Sequence, residues 1–324
     1  MHTTTLGKSG LKVSRIAFGT WQLGGEWGAF AEEGAKAAIR RAREQGVNFF
    51  DTAQAYGFGA SERLLGDALQ TDLGRNRDEL VIATKGGLRK TDTGIARDAG
   101  TDSLRRGVDA SLAALGLDYI DLYQVHWPDP NVPVAETAGA LRELVGAGKI
   151  GHVGVSNYTT EQMSEFAETL PVETLQPPYH LFRRDIEEAI LSYTRRHDIG
   201  VLVYGPLAHG LLTGTFDENT AFPSDDWRSK SSVFRGEAYR RNLAVVRELQ
   251  QFAAARGMTI SQLAIAWTLA HPAVHVAIVG TRRAEHVDES LAAADISLSE
   301  EDRAEIDKIM AAAAPVAGPS PEGM

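Results

Sequence analysis

The chain has 324 residues, 43% of them hydrophobic and 23% charged, which suits a globular protein of one large barrel or two average domains. A net charge of −10, with acidic and basic residues interspersed, argues against nucleic acid or an anionic membrane as the main partner. The lack of cysteine excludes disulfides, thiolate metal sites and a cysteine nucleophile, and fits a reducing cytoplasm.

Residues 1–8 lack the apolar core of a signal peptide, and no apolar run approaches membrane-spanning length, so a cytoplasmic protein is expected. Residues 4–14, turning through Gly7 and Gly10, read as a β-hairpin. A first barrel strand follows at 15–18. Short apolar runs then recur at 47–50, 80–84, 119–125, 151–155, 173–176, 200–204 and 275–279, each with the look of a buried parallel strand. Helical periodicity lies between them. Leu104, Val108, Ser111, Leu112 and Leu115 share one face of a helix, Val134, Ala138, Leu141 and Leu144 another, and Ile186, Ala189, Ile190 and Tyr193 a third. Eight strands spaced as βα units predict a (β/α)8 TIM barrel of the α/β class, with an N-terminal hairpin and long loops over its C-terminal rim. A doubly wound open sheet would gather its ligand at one switch point, whereas polar strand ends here occur all the way round. The expected organisation is a single domain over 1–310, with 311–324 a disordered tail. The 208–235 stretch is long, polar and irregular, with Phe216, Phe222, Trp227 and Phe234 dispersed through it, and reads as a candidate lid.

Three successive strands end in polar residues. The first ends at Asp51, with Tyr56 five residues on, the second at Lys85 and the third at His126. Taken singly, Asp51 fits a loop cap, Tyr56 a surface aromatic, Lys85 an exposed strand terminator and His126 a core histidine. Together, on consecutive strands of one rim, an acid, a phenol, an amine and an imidazole make a proton-transfer site. No Gly-x-Gly-x-x-Gly follows a strand, there is no Walker loop, and no spacing of His, Asp or Glu suggests a metal.

The segments Asp51-Thr52-Ala53-Gln54-Ala55-Tyr56-Gly57, Ala83-Thr84-Lys85 and Val125-His126-Trp127 resemble the active-site segments of the aldo-keto reductase superfamily, and the resemblance runs from Leu6 to the helix after Gly280. It implies NAD(P)H-dependent interconversion of aldehydes or ketones with alcohols. Tyr56 would give the carbonyl oxygen its proton, Lys85 would tune that phenol, Asp51 would balance the lysine, and His126 would orient the carbonyl. The resemblance also implies that Ser156, Asn157 and Gln176 hold the nicotinamide carboxamide, that Tyr204 stacks on its ring, and that the loop through Gly205, Pro206, Leu207 and Gly210 covers the pyrophosphate. Gly205 stands where the family commonly has serine. Gly280, Thr281, Arg282, Arg283, His286, Glu289 and Ser290 would hold the adenosine end, the arginines taking the 2′-phosphate that favours NADP(H) while leaving NAD(H) possible. His286 replaces a family Gln or Arg, and Ser290 a family Asn. Trp21 and Trp127 are candidates for the substrate wall, or for packing under loops.

Through the segments 20–25 and 126–130 the chain resembles bacterial members of the general-stress and inositol-cluster type, which implies small aldehydes, sugars or sugar-derived ketones and a monomer. Two other readings stand beside it. Lys85 could be a Schiff-base lysine of an aldolase, and the potassium-channel β subunits suggest an NADP(H)-binding regulatory protein with slow turnover.

Overall fold

The computed structural model describes residues 1–92 and 94–316. Eight parallel strands close into a barrel: β1 (Ile16–Gly19), β2 (Phe49–Asp51), β3 (Val81–Gly86), β4 (Ile120–Val125), β5 (Ile150–Ser156), β6 (Thr174–Gln176), β7 (Gly200–Tyr204) and β8 (Val276–Val279). They follow one another in chain order around the barrel, β8 pairing with β1, as the sequence reading expected. The expected hairpin pairs Thr3–Thr5 with Lys12–Ser14 and closes the barrel floor. Its Leu6 and Val13 are fully buried with the inward residues Phe49, Ala83, Leu122 and Leu202. Gly7 explains the tight seat: φ is +51°, and a Cβ there would stand 2.3 Å from the Gly200 nitrogen.

Period two along the strands divides their side chains. Phe49, Val81 and Leu122 fill the interior, whereas Phe50, Ile82 and Tyr123 face the surrounding helices. Continuing that alternation brings Asp51, Lys85 and Gln124 inward at the upper ends of three neighbouring strands, Lys85 lying in register with Gln124. The floor is apolar and plugged; the upper rim is polar.

The helix expected over 101–114 runs Thr101–Leu115, and the one expected to carry Val134, Ala138, Leu141 and Leu144 on one face runs Val134–Gly146. The third differs. Ala189 takes φ −131°, so the chain makes a 3-10 turn at Asp185–Glu187 and the helix begins only at Ile190. Glu187 is held there by the Tyr179 hydroxyl at 2.6 Å and by Arg184. A second hairpin, Leu88–Thr91 with Gly94–Arg97, rises from the rim after β3 and was not expected. Of the tail, residues 311–316 are described. Ala314 exchanges two hydrogen bonds with Asn242, and the Val316 N–H donates to the Phe182 carbonyl at 3.0 Å. Residues 317–324, which carry the rest of that expectation, lie outside the described residues. No helix among the described residues is long and apolar enough to cross a membrane.

Candidate active site

The tetrad assembles at the rim. Lys85 donates to Asp51 Oδ1 at 2.6 Å, to the Thr52 carbonyl at 2.9 Å and to the Tyr56 hydroxyl at 3.3 Å, and its ammonium is fully buried. The other Asp51 oxygen accepts from Gln176 Nε2 at 2.9 Å and Gln124 Nε2 at 3.3 Å. A buried ion pair offsets its desolvation only when its remaining donors and acceptors are satisfied, and here both partners are. Gln124 is a member of this network that the sequence reading missed; its signal was the period-two relation to His126.

Tyr56 comes from a loop, not a strand. Gly57, Phe58 and Gly59 all adopt positive φ, coiling the chain so that the ring returns over Lys85, whose Nζ lies 5.1 Å from the ring centroid. The Ser61 hydroxyl ties this loop to the Thr20 hydroxyl at 2.7 Å and to Thr52 at 3.2 Å. Gly57 packs so closely that a Cβ would meet the Gly24 carbonyl oxygen at 2.5 Å. The His126 ring stands edge-on to Tyr56, centroids 5.7 Å apart. Burial, followed by the charge of Lys85, holds the His126 pKa well below the usual imidazole value, so the ring is neutral at physiological pH.

Beside the tetrad, Asn157 takes φ +61° immediately after β5, turning its side chain back to donate to the His126 carbonyl at 3.1 Å and to Ser156 Oγ at 3.0 Å. Its amide oxygen accepts from the Tyr204 hydroxyl at 3.0 Å, which fixes the Tyr204 ring against the cavity wall. That cavity, of about 1010 Å³, runs from Asp51, Tyr56 and His126 past Gly205–Gly210 to the 280–290 segment. Every residue the sequence reading assigned to the cofactor, from Ser156 to Ser290, lines it. The fit to an extended dinucleotide is good: amide and hydroxyl groups flank one end, a planar ring stands beside them, and the exposed Arg283 and His286 lie at the other end. Arg282 differs from Arg283, since its Nε and Nη2 donate to the Gln22 carbonyl at 2.9 and 2.7 Å.

Of the two expected substrate-wall residues, Trp21 lines the cavity and stacks near Tyr56 at 6.2 Å. Trp127 does not line it, lying instead under the Arg97 guanidinium at 5.2 Å. The wall is completed by Trp27, His209 and Arg228, which the sequence reading did not single out. Burial lowers the His209 pKa to about 3, leaving a neutral ring edge-on to Trp21 at 5.8 Å. The 208–235 segment does cross the mouth, with Trp27 and Asp226 forming a β-bridge between the two loops.

A parallel barrel with a buried Asp-Lys pair under a tyrosine, beside a dinucleotide-sized groove, is an oxidoreductase arrangement. The aldo/keto reductase family profile matches residues 15–311, and the chain belongs to that family and is an oxidoreductase. It is 40% identical over 312 residues to aldo-keto reductase YhdN of Bacillus subtilis, covering 96% of this chain and 94% of that one. It is 33% identical over 293 residues to the NADP(+) aldo-keto reductase yakc of Schizosaccharomyces pombe, covering 89% and 86%. The solved glycerol dehydrogenase AKR11B4 of Gluconobacter oxydans superposes with a TM-score of 0.86 at 37% identity, covering 95% of each chain.

Proposed function

We propose that this protein interconverts small aldehydes or ketones and their alcohols with NADP(H), Tyr56 serving as the proton donor in the reducing direction. The observation that carries the reading is the Lys85 ammonium, bonded at once to Asp51 and, at 3.3 Å, to the Tyr56 hydroxyl. A bound reduced nicotinamide would supply the hydride. The chain supplies the rest. Tyr56 lines the cavity and gives its proton to the carbonyl oxygen as negative charge develops there. The ammonium then stabilises the phenolate left behind. Asp51 holds Lys85 aimed at the phenol, while the neutral His126 offers an N–H to the same carbonyl oxygen without competing as an acid. Gln176 Oε1 has no partner among the described residues and suits a carboxamide N–H, with Ser156 and Asn157 beside it.

The Asp51 contact argues against a Schiff-base role, which needs a neutral amine. Within this reading the protein acts as a cytoplasmic monomer; among the described residues only Met1 is a large apolar side chain left exposed. Consumption of NADPH followed by absorbance, with 4-nitrobenzaldehyde and a dicarbonyl as substrates, tests the reading. Turnover of either that is lost in Lys85→Met supports it. Tight retention of NADPH with no turnover of any carbonyl would transfer the weight to a regulatory binding role.

A further inference from the structure

Resting on the cofactor reading above, we propose that Arg282 is a positioning residue that clasps the loop 21–28 across the site, leaving the adenosine phosphate to Arg283 and His286. Two of its three guanidinium nitrogens are committed to backbone carbonyls more than 250 residues away in sequence. Nε and Nη2 hold the Gln22 oxygen at 2.9 and 2.7 Å, Nη2 also holds the Gly28 oxygen at 3.1 Å, and the guanidinium lies 4.7 Å over the Phe30 ring. Such charge-assisted bonds are short and directional, and a phosphate could claim the same donors only by releasing both carbonyls. One residue on, Arg283 is exposed and its side chain makes no hydrogen bond or ion pair among the described residues; the exposed His286 ring likewise makes none. Among the described residues, these two side chains at that end of the cavity remain free to meet a phosphate.

The clasped loop is not an idle flap. It carries Trp21, the wall beside Tyr56. Its Glu26 carboxylate accepts the Gly57 N–H at 3.1 Å, one residue after the catalytic phenol, and its Glu26 carbonyl accepts the Trp227 N–H at 3.2 Å from the lid. Trp27 bridges to Asp226 and lies 4.8 Å beneath the Arg228 guanidinium. One strap thus joins the phosphate end, the Tyr56 loop and the substrate lid, and Arg282 is its fastening at the phosphate end. Loosening that fastening shifts Glu26, and with it both Gly57 and Trp227.

The full chain carrying Arg282→Ala, Arg282→Lys or Arg283→Ala tests this. Amide hydrogen exchange in the cofactor-free protein is the first readout. Exchange at Gly57 and Trp227 should rise about tenfold in Arg282→Ala, and to an intermediate level in Arg282→Lys, which loses the Nε bond to Gln22 and replaces the planar fork with a point charge on a flexible stem. The second readout is direct binding of NADPH and NADH. Arg282→Ala should change both affinities by the same factor, raise the aldehyde KM and lower kcat with either cofactor, whereas Arg283→Ala should weaken NADPH alone by about tenfold. Wild-type exchange in both Arg282 variants overturns the clasp, as does loss of NADPH affinity in Arg282→Ala with NADH affinity intact. If Arg282→Ala fails to fold, wild-type exchange in Arg282→Lys alone overturns it. A wild-type protein that binds neither dinucleotide would defeat the proposed function, and the exchange at Gly57 and Trp227 would still decide the clasp.

Discussion

The two sides of this barrel mouth are held by different physics. On one side Asp51, Lys85, Gln124 and Gln176 project from neighbouring strands whose register is fixed by backbone ladders, and their side chains bond to one another out of contact with water. On the other side, residues 20–30 and 208–235 have no ladder beyond one bridge. They meet through aromatic edges, through Arg228 bonded to Asp226 and lying over the Trp27 and Phe222 rings, and through single carbonyls. Strand ends hold the Asp51–Lys85 network, while the loops form the cavity wall and, through Glu26 and Gly57, part of the seat of Tyr56. In the proposed reading the first side tunes the proton donor and the far wall, around Arg228, sets substrate choice.

The sharpest way to break that division is to damage each side in turn. Lys85→Met should lower kcat about a thousandfold, since it removes the charge that stabilises the phenolate. Arg228→Met should instead raise the aldehyde KM about tenfold with kcat changed little, because the tetrad does not touch it. Steady-state kinetics of both variants at saturating NADPH measure this. An equal collapse of kcat in Arg228→Met would abolish the distinction.

Rigidity should differ in the same sense. A Cβ on Gly86 would lie 1.8 Å from the hydroxyl of Tyr123, which is fully buried and cannot swing away. Gly86→Ala should therefore cost about 3 kcal/mol in urea unfolding, and adding Tyr123→Phe should recover only part of it, since the clashing oxygen goes but the ring Cζ still stands 2.9 Å from the new Cβ. In the loop region, Gly28→Ala meets nothing closer than 3.7 Å and is strained only by its φ of +78°. Its cost should be about 1 kcal/mol. Similar losses at the two positions would show that the lid is packed as tightly as the barrel.

A smaller effect comes from pH. Burial depresses the pKa of His126 and His180, which are 2% and 1% exposed, and that of the lid residue His209. Their folded forms stay neutral while the unfolded chain takes up protons near pH 6.5, so the unfolded state binds more protons as pH falls. Stability is retained above about pH 6.5 and lost below it, by up to about 1.4 kcal/mol per pH unit for each of the two fully buried rings. His152 works the other way: a hydrogen bond to Glu173 raises its pKa, and its stabilisation fades as pH rises. Urea midpoints at pH 7 and 5.5 should fall accordingly, and His180→Asn should flatten the slope. A midpoint that does not change with pH would mean that the buried rings charge freely in the folded state.

How much the chain disclosed follows the same line. The eight strands and the tetrad were legible because buried parallel strands are short apolar runs, and because polar residues that each have an ordinary explanation alone fall together at the ends of three consecutive runs. Gln124 was hidden within a strand, where only its two-residue offset from His126 marks it as inward. Trp27, His209 and Arg228 were not legible, since loop residues acquire their place from partners that no local period announces. Trp127 follows His126 directly, yet alternation carries it away from the cavity and under Arg97. The helix start at Ile190 was missed because the apolar spacing runs unbroken through Ala189, while the preceding turn is held by Glu187 bonded to Tyr179 and Arg184.

The central claim is that the Tyr56 hydroxyl supplies the proton. Tyr56→Phe keeps the ring and its packing against Trp21 and His126 while deleting that one oxygen. The measurement is single-turnover NADPH oxidation with 4-nitrobenzaldehyde, alongside the NADPH dissociation constant of the same protein. We expect the variant to bind NADPH as the wild type does and to lose reduction by about a thousandfold or more. Reduction at the wild-type rate with NADPH bound would contradict the assignment.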